Sequence, residues 1–162
     1  MLRSPAVTNG GALPVEFTGD GAGVSLPLSW SGAPAGTKSF AVIMHHIDPQ
    51  GVVKWYWTLY NIPANVRSLP ENVAGVGVAS NNSVNQRIGY APPHSKGPGA
   101  KTYTLTVYAL SALVSFSVPP AEVSLDRLLT AMNGLILDSA ELKVVCDRTG
   151  VINASAPNSA KQ

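Results

Sequence analysis

Residues 101–110 show the pattern that most restricts the fold of this chain, an alternation of side chains with a period of two. One face takes Tyr103, Leu105, Val107 and Ala109, and the other takes Thr104, Thr106 and Tyr108. Successive side chains point to opposite faces along a β-strand, whereas a helix repeats about every 3.6 residues. The run therefore predicts a long β-strand with one face directed toward a core.

Two earlier runs predict neighbouring strands. Residues 38–45 are apolar on both faces, which favours a central strand covered on both sides. Residues 54–62 follow, and Pro63 ends them because it cannot donate a hydrogen bond to a sheet. One face of this second run carries Trp55, Trp57 and Leu59, and the other carries Tyr56, Thr58 and Tyr60. Shorter strands are predicted at 13–18, 25–30 and 142–147.

One segment has the period of a helix instead. Ser124 suits the N-cap and Asp126 suits the first turn. An apolar stripe follows at helical spacing, formed by Leu125, Leu128, Leu129, Met132, Leu135 and Ile136. We therefore predict a mainly β fold, an antiparallel two-sheet β-sandwich with one main helix near the C-terminus, at residues 124–138.

The length of 162 residues fits a single domain, which we place at residues 13–150. Residues 1–12 and 151–162 are small and polar and are expected to be flexible termini. No apolar run approaches the ~20 residues of a membrane span, so no span is predicted. The chain is expected in the cytoplasm if Met1 is the native start, and in the periplasm or outside the cell if a signal peptide has been removed.

Charge and cysteine content narrow the classes of function. Charged residues make up 12% of the chain and the net charge is +2, which argues against a nucleic-acid partner. Cys146 is the only cysteine, so no internal disulfide can form, and its apolar neighbours predict a buried structural thiol. Residues 90–99 combine prolines and glycines, which predicts a rigid loop suited to a pocket wall.

Four stretches, taken in order, resemble the phosphatidylethanolamine-binding protein family, in its bacterial Raf-kinase-inhibitor-like branch. They are Ser25-Leu26-Pro27-Leu28-Ser29-Trp30 with Pro34-Ala35-Gly36-Thr37-Lys38, Asp48-Pro49 before Trp55-Tyr56-Trp57 and Asn61-Ile62-Pro63, Gly89-Tyr90, and Lys101-Thr102-Tyr103 before Val107-Tyr108-Ala109-Leu110. The resemblance covers roughly residues 13–148. It implies a β-sandwich with a pocket for phosphate-like anions at one end.

The resemblance also implies which residues bind the ligand. By position they are His46, Asp48, Tyr56, Pro92, Pro93, Lys101 and Tyr103. Three of them depart from the family's pattern, in which an aspartate stands at the position of His46 and histidines stand at those of Tyr56 and Lys101. Histidine in place of aspartate at position 46 and lysine in place of histidine at position 101 make the pocket more positive, so we expect anion binding to persist with an altered preference.

The residue types at these positions suit an anion. His46 and Asp48 share a face of an extended chain, where Asp48 could orient the imidazole or the two could merely satisfy each other. Lys101 and Tyr103 share a face by the same rule, although Lys101 could also lie in solvent at the strand entrance. Together they would form a polar floor for phosphate, acetate or a lipid headgroup. His45 points the opposite way and is expected to be a core or sheet-face residue.

The sequence therefore predicts a binding module for a small anionic or phosphorylated ligand, without a cofactor and without enzymatic activity. A regulatory role through a protein partner follows only by analogy with the family, and the sequence does not predict an oligomeric state. One alternative is a low-activity hydrolase or other acid–base enzyme, although no Gly-x-Ser-x-Gly motif marks a nucleophile. Another is a metal site at His46, Asp48 and His94, which Lys101 nearby would oppose.

Overall fold

The computed structural model describes residues 1–94 and 99–147, so the predicted flexible segment 151–162 and part of the predicted rigid loop lie outside the described residues. The strands are β1 (Leu2–Arg3), β2 (Leu28–Trp30), β3 (Ser39–Ile47), β4 (Val53–Pro63), β5 (Ser68–Leu69), β6 (Val78–Ala79), β7 (Ala100–Leu110) and β8 (Ile136–Asp147). The helices are α1 (Leu125–Met132) and two short 3-10 helices, Val15–Phe17 and Pro120–Glu122.

The strands form two antiparallel sheets. The smaller sheet has the order β1-β2-β5, and the larger has the order β6-β4-β3-β7-β8. β3 and β7 pair without a register shift, from Ser39 opposite Leu110 to His45 opposite Thr104. The predicted fold class, a mainly β two-sheet sandwich with one main helix near the C-terminus, is confirmed.

Strand β3 is covered on both faces, as its sequence predicts. Phe40, Val42 and Met44 belong to a cluster of buried side chains between the two sheets, which we call the inter-sheet core. Ala41 and Ile43 belong to a second cluster beneath α1, which we call the helix-side core. The central strand is thus fixed by two layers of apolar packing.

Helix α1 is shorter than the helix predicted at 124–138. It begins as predicted, because Ser124 Oγ accepts a hydrogen bond from the backbone N–H of Arg127 at 3.2 Å. It ends at Met132, and Gly134 then adopts a φ of 82°, a left-handed conformation that glycine tolerates and that stops a helix. Ile136 consequently begins β8, which extends the strand predicted at 142–147. None of the helices in the described residues has the length and apolarity needed to cross a membrane.

The N-terminal segment also differs from the expectation. The segment 13–18 contains the 3-10 helix Val15–Phe17 rather than a strand, because Phe17 N–H donates to the carbonyl oxygen of Pro14 at 3.0 Å and closes a turn. Within residues 1–12, expected to be flexible, Leu2 pairs with Trp30, and Leu2 and Val7 are buried in the inter-sheet core. Burial of these apolar side chains holds the segment on the sandwich.

An irregularity in the pairing of β3 with β4 decides which side chains of β4 lie between the sheets. Met44 pairs with Trp57 and His45 pairs with Trp55, so Tyr56 is an extra residue that forms a β-bulge. Tyr56 and Trp57 consequently both contact the inter-sheet core, whereas Trp55 contacts the helix-side core. The strict alternation predicted for residues 54–62, with Tyr56 opposite in direction to Trp57, is wrong at this point.

Candidate ligand-binding site

Three aromatic rings from three neighbouring strands meet at one end of the larger sheet. His45 pairs with Thr104, so the adjacent residues His46 and Tyr103 face the same side, and their ring centroids lie 5.1 Å apart. The bulge in β4 brings Tyr56 to the same place, where its ring stands edge-on to Tyr103 at 5.0 Å. The structure thus brings three of the predicted site residues into contact.

The imidazole of His46 is held through one nitrogen, and its other nitrogen lacks a partner. Nδ1 lies 2.9 Å from the carbonyl oxygen of Thr102. Nε2 is buried and has no hydrogen-bond partner among the residues that the structure describes. A buried polar atom without a partner costs about 1–3 kcal/mol, so such an atom often marks the position of a water or a ligand. Nε2 is therefore the atom of this site that a bound group would satisfy.

The two phenols of the site stay protonated at ordinary pH. Burial raises the pKa of Tyr56 above its usual value near 10. Burial, together with the charge and hydrogen bond of Tyr56, raises the pKa of Tyr103 more strongly. As neutral hydroxyls they can donate hydrogen bonds to an anion.

Lys101 lies at the start of β7, on the face that Tyr103 occupies two residues later, and pairs with Cys146 of β8. Its side chain is partly buried rather than fully in solvent. An open hollow of about 510 Å³ at this end of β3 and β7 is bordered by both His46 and Lys101. His45 and Thr104 also border the hollow, although they lie on the opposite face of the sheet, so the hollow extends around the strand ends.

His45 has the orientation that the sequence predicts. It pairs with Thr104 on the face away from Tyr103 and is partly buried there. Burial lowers the pKa of His45, an effect that nearby Glu141 opposes and that Lys143 and His46 reinforce. The two adjacent histidines therefore belong to different faces and do not form one ligand set.

Asp48 has a different role from the one expected at its position. Its Oδ1 atom accepts hydrogen bonds from the backbone N–H groups of Gln50 and Val52, at 3.0 and 2.8 Å, and closes the turn between β3 and β4. The orienting partner of His46 is the carbonyl of Thr102 rather than this carboxylate. Lys54 Nζ lies 4.0 Å from Asp48 Oδ2 with a side chain 51% exposed, a pair that contributes little. A direct contact of Asp48 with a ligand remains a prediction.

Replacement of Asp48 by alanine and by asparagine tests the role of its side chain in the turn. We expect Asp48→Ala to lower the free energy of unfolding by about 1–2 kcal/mol, because the two hydrogen bonds that close the turn are lost. Asp48→Asn keeps an oxygen in the same place and should cost no more than about 0.5 kcal/mol. Urea unfolding of the three proteins is the measurement. Equal losses for Ala and Asn would mean that the charge, not the turn, is what matters.

The remaining predicted residues lie along the loop after residue 90. Ala91 N–H donates to the carbonyl oxygen of Tyr56 at 2.7 Å, and the carbonyl of Pro93 accepts from Gly19 N–H at 2.8 Å. These bonds anchor Pro92 and Pro93 between the bulge and the N-terminal segment, and their contact with a ligand stays a prediction. His94 Nε2 lies 3.2 Å from Asp20 Oδ1 instead of joining His46 and Asp48. Within residues 1–94 and 99–147, no three His, Cys, Asp or Glu side chains are grouped to hold a metal ion.

Tyr90 and Cys146, which were not predicted as site residues, lie next to the site. Tyr90 packs its ring edge-on against Trp57 at 5.6 Å and donates its hydroxyl to the carbonyl oxygen of Phe17 at 2.6 Å. Burial, with a smaller effect of Cys146, raises the pKa of Tyr90 strongly. Cys146 itself is buried, as predicted, beside these phenols. An aromatic residue directly after a glycine in the Gly89-Tyr90 stretch was the signal that could have identified Tyr90.

Known proteins share this sequence pattern over most of its length. A family model described as "Phosphatidylethanolamine-binding protein" matches residues 3–147. A UPF0098 protein of Methanothermobacter thermautotrophicus is 34% identical over 146 residues, which cover 87% of this chain and 94% of the relative. A UPF0098 protein of Aquifex aeolicus is 35% identical over 144 residues, which cover 86% of this chain and 83% of the relative.

Solved structures share the architecture. A phosphatidylethanolamine-binding protein homologue from Chlamydia trachomatis matches with a TM-score of 0.81 at 30% identity, covering 89% of this chain and 94% of that one. Escherichia coli YbcL, described as a new member of the mammalian family of these proteins, matches with a TM-score of 0.80 at 28% identity, covering 91% of this chain and 97% of that one. The shared fold therefore covers about nine-tenths of this chain.

Proposed function

We propose that this chain, which belongs to the phosphatidylethanolamine-binding protein family, binds a small anionic or phosphorylated ligand at the end of β3 and β7. The family fold is that of a ligand-binding module. The observation that carries the proposal is the convergence of His46, Tyr56 and Tyr103, whose rings contact one another. Lys101 on the same face supplies the charge that an anion needs.

The chemistry of the group favours an anion over a cation. The phenols are neutral donors because burial raises the pKa of Tyr56 and that of Tyr103. An ammonium group adds a charged donor, and hydrogen bonds to charged groups contribute about 1.5–3 kcal/mol each. The nearby carboxylate of Asp48 already accepts two backbone N–H groups, which partly offset its negative charge.

The alternative, an acid–base hydrolase, needs a nucleophile next to the imidazole. His46 uses Nδ1 for a backbone carbonyl, and in the described part of the chain no serine, threonine or cysteine side chain hydrogen-bonds to Nε2. The names of the two relatives and two solved structures described above mention no enzymatic activity. The binding function is therefore better supported by the geometry.

Substitution of two lysines that lie on opposite faces of the larger sheet tests the proposed anion binding. We expect Lys101→Met to weaken the binding of inorganic phosphate by about tenfold to a hundredfold, the loss of one charged hydrogen bond. Lys143→Met is the matched control, because Lys143 contacts Glu141 and Thr104 on the other face and should change the affinity less than about twofold. Isothermal titration calorimetry measures both.

Two results would contradict the proposal. One is wild-type protein that does not bind phosphate or acetate at millimolar concentration. The other is an equal loss of affinity in the two lysine variants, which would place the anion outside the group around Tyr103. Turnover of activated esters that disappears with His46→Phe or Tyr103→Phe would instead support the hydrolase alternative.

A further inference from the structure

The hydrogen bond to Thr102 determines what His46 can offer a ligand. A backbone carbonyl oxygen only accepts, so Nδ1, 2.9 Å from it, must carry a proton. In the neutral imidazole the proton is then absent from Nε2, which has a lone pair and can only accept a hydrogen bond. This fixes Nε2 as an acceptor whenever the ring is neutral.

Unlike Nε2, the other polar groups of the site are hydrogen-bond donors. Tyr56 and Tyr103 are neutral phenols whose rings lie 5.0 Å apart, and each hydroxyl carries one proton that it can donate. Lys101 carries up to three N–H donors on the same face. The site thus combines several donors with one unpartnered acceptor, Nε2, which is buried and has no partner within the described residues.

An occupant that satisfies all of these groups must accept several hydrogen bonds and donate one. An oxyanion that keeps a hydroxyl has this combination, because its bare oxygens accept from the phenols and the ammonium group while its O–H donates to Nε2. Hydrogenphosphate is the simplest example. Sulfate has the same charge and nearly the same shape at neutral and mildly alkaline pH but has no proton, and a phosphodiester has none either.

We propose that His46 makes this site selective for oxyanions that carry a hydroxyl, so that hydrogenphosphate binds in preference to sulfate and to phosphodiesters. The inference rests on the proposed anion-binding function and specifies its ligand. A free phosphate group fits this requirement, whereas the diester of an intact lipid headgroup does not.

The test compares inorganic phosphate, sulfate and dimethyl phosphate at about pH 8, where a free imidazole is mostly neutral. Titration calorimetry on the wild-type protein should give at least about tenfold tighter binding of phosphate than of either other ion, equivalent to ~1.4 kcal/mol. His46→Phe retains a ring against Tyr103 but removes both nitrogens, and should bring the phosphate-to-sulfate ratio close to one. Tyr60→Phe, in the helix-side core away from the hollow, is the control and should keep the wild-type ratio.

Failure of the proposed selectivity and failure of the proposed anion binding would give different results. Equal affinity of the wild-type protein for phosphate and sulfate would overturn the selectivity but leave the anion-binding function in place. A phosphate preference that survives in His46→Phe would also overturn it, because the acceptor would lie elsewhere. Absence of binding by all three ions would overturn both proposals together.

A second measurement does not depend on the folding of a variant. Nitrogen-15 NMR of the wild-type protein at about pH 8 should show His46 protonated at Nδ1 and unprotonated at Nε2. Added phosphate should move the Nε2 resonance toward the hydrogen-bonded range, while added sulfate should leave it unchanged. Protonation at Nε2 in the free protein, or the same shift with both ions, would contradict the proposal.

Discussion

Above about pH 10 we expect the free energy of unfolding to fall steeply with each further increase in pH. Burial raises the pKa of all five tyrosines of the chain, Tyr56, Tyr60, Tyr90, Tyr103 and Tyr108. A phenol whose pKa is raised in the folded state ionises first in the unfolded state, so the stability it provides is complete below pH 10 and is lost as the pH rises through the folded-state pKa. Tyr90 and Tyr103, whose pKa values are raised most, each add a slope of up to about 1.4 kcal/mol per pH unit, and the other three tyrosines add less.

Urea unfolding at a series of alkaline pH values, followed by circular dichroism, measures this loss. Absorbance at the phenolate band should rise together with unfolding, because the buried phenols ionise only when the sandwich opens. Tyr103→Phe should flatten the alkaline decline, since Tyr103 is 1% exposed and its pKa is raised strongly. Gradual phenolate formation with a midpoint near pH 10, in protein that keeps its native spectrum, would contradict the expectation.

Leu128→Ala in helix α1 should strongly destabilise the protein. Leu128 has no exposed surface and lies in the helix-side core with Ile43, Tyr60 and Leu110. Removal of a fully buried leucine leaves a cavity and costs about 2–5 kcal/mol. Because small domains are stable by only about 5–15 kcal/mol, this change should shift the urea midpoint far below the wild-type value.

The neighbouring residue provides a matched control for this prediction. Leu129 follows in the same helix but is 38% exposed, so Leu129→Ala removes little buried surface and gains the high helix propensity of alanine. Its free energy of unfolding should stay within about 1 kcal/mol of the wild-type value. Similar losses of unfolding free energy in Leu128→Ala and Leu129→Ala would mean that α1 does not cover the outer face of β3.

The long strands could be predicted from the sequence because each carries its own periodicity. β3 and β7 are found within two residues of their predicted limits, since apolar burial on both faces of β3 and on one face of β7 leaves little freedom of register. The N-terminal part of β8 could not be predicted, because its exposed residues lack alternation and the apolar Ile136 continues the stripe of the helix. Only the left-handed conformation of Gly134 separates the two elements.

The sequence indicated which positions belong to the candidate site, but it did not indicate which of their side chains contact one another. The register of β3 and β7 follows from long-range pairing, and the contact of His46 with Tyr103 depends on it. The bulge that redirects Tyr56 has no local sequence signal in this chain, so periodicity assigned this residue to the wrong face. The expected partnership of His46 with Asp48 failed because backbone groups compete for both side chains, the carbonyl of Thr102 for one and two turn N–H groups for the other.

The position of β3 at the centre of the larger sheet has a consequence for the order in which this chain can fold. β3 meets β4 across a short turn closed by Asp48, so that hairpin involves only local contacts. Its other neighbour, β7, pairs with it only after a loop closure of roughly sixty residues, a costly and slow kind of contact. During synthesis the hairpin therefore emerges with one edge of β3 unpaired, and that edge stays open until β7 has left the ribosome.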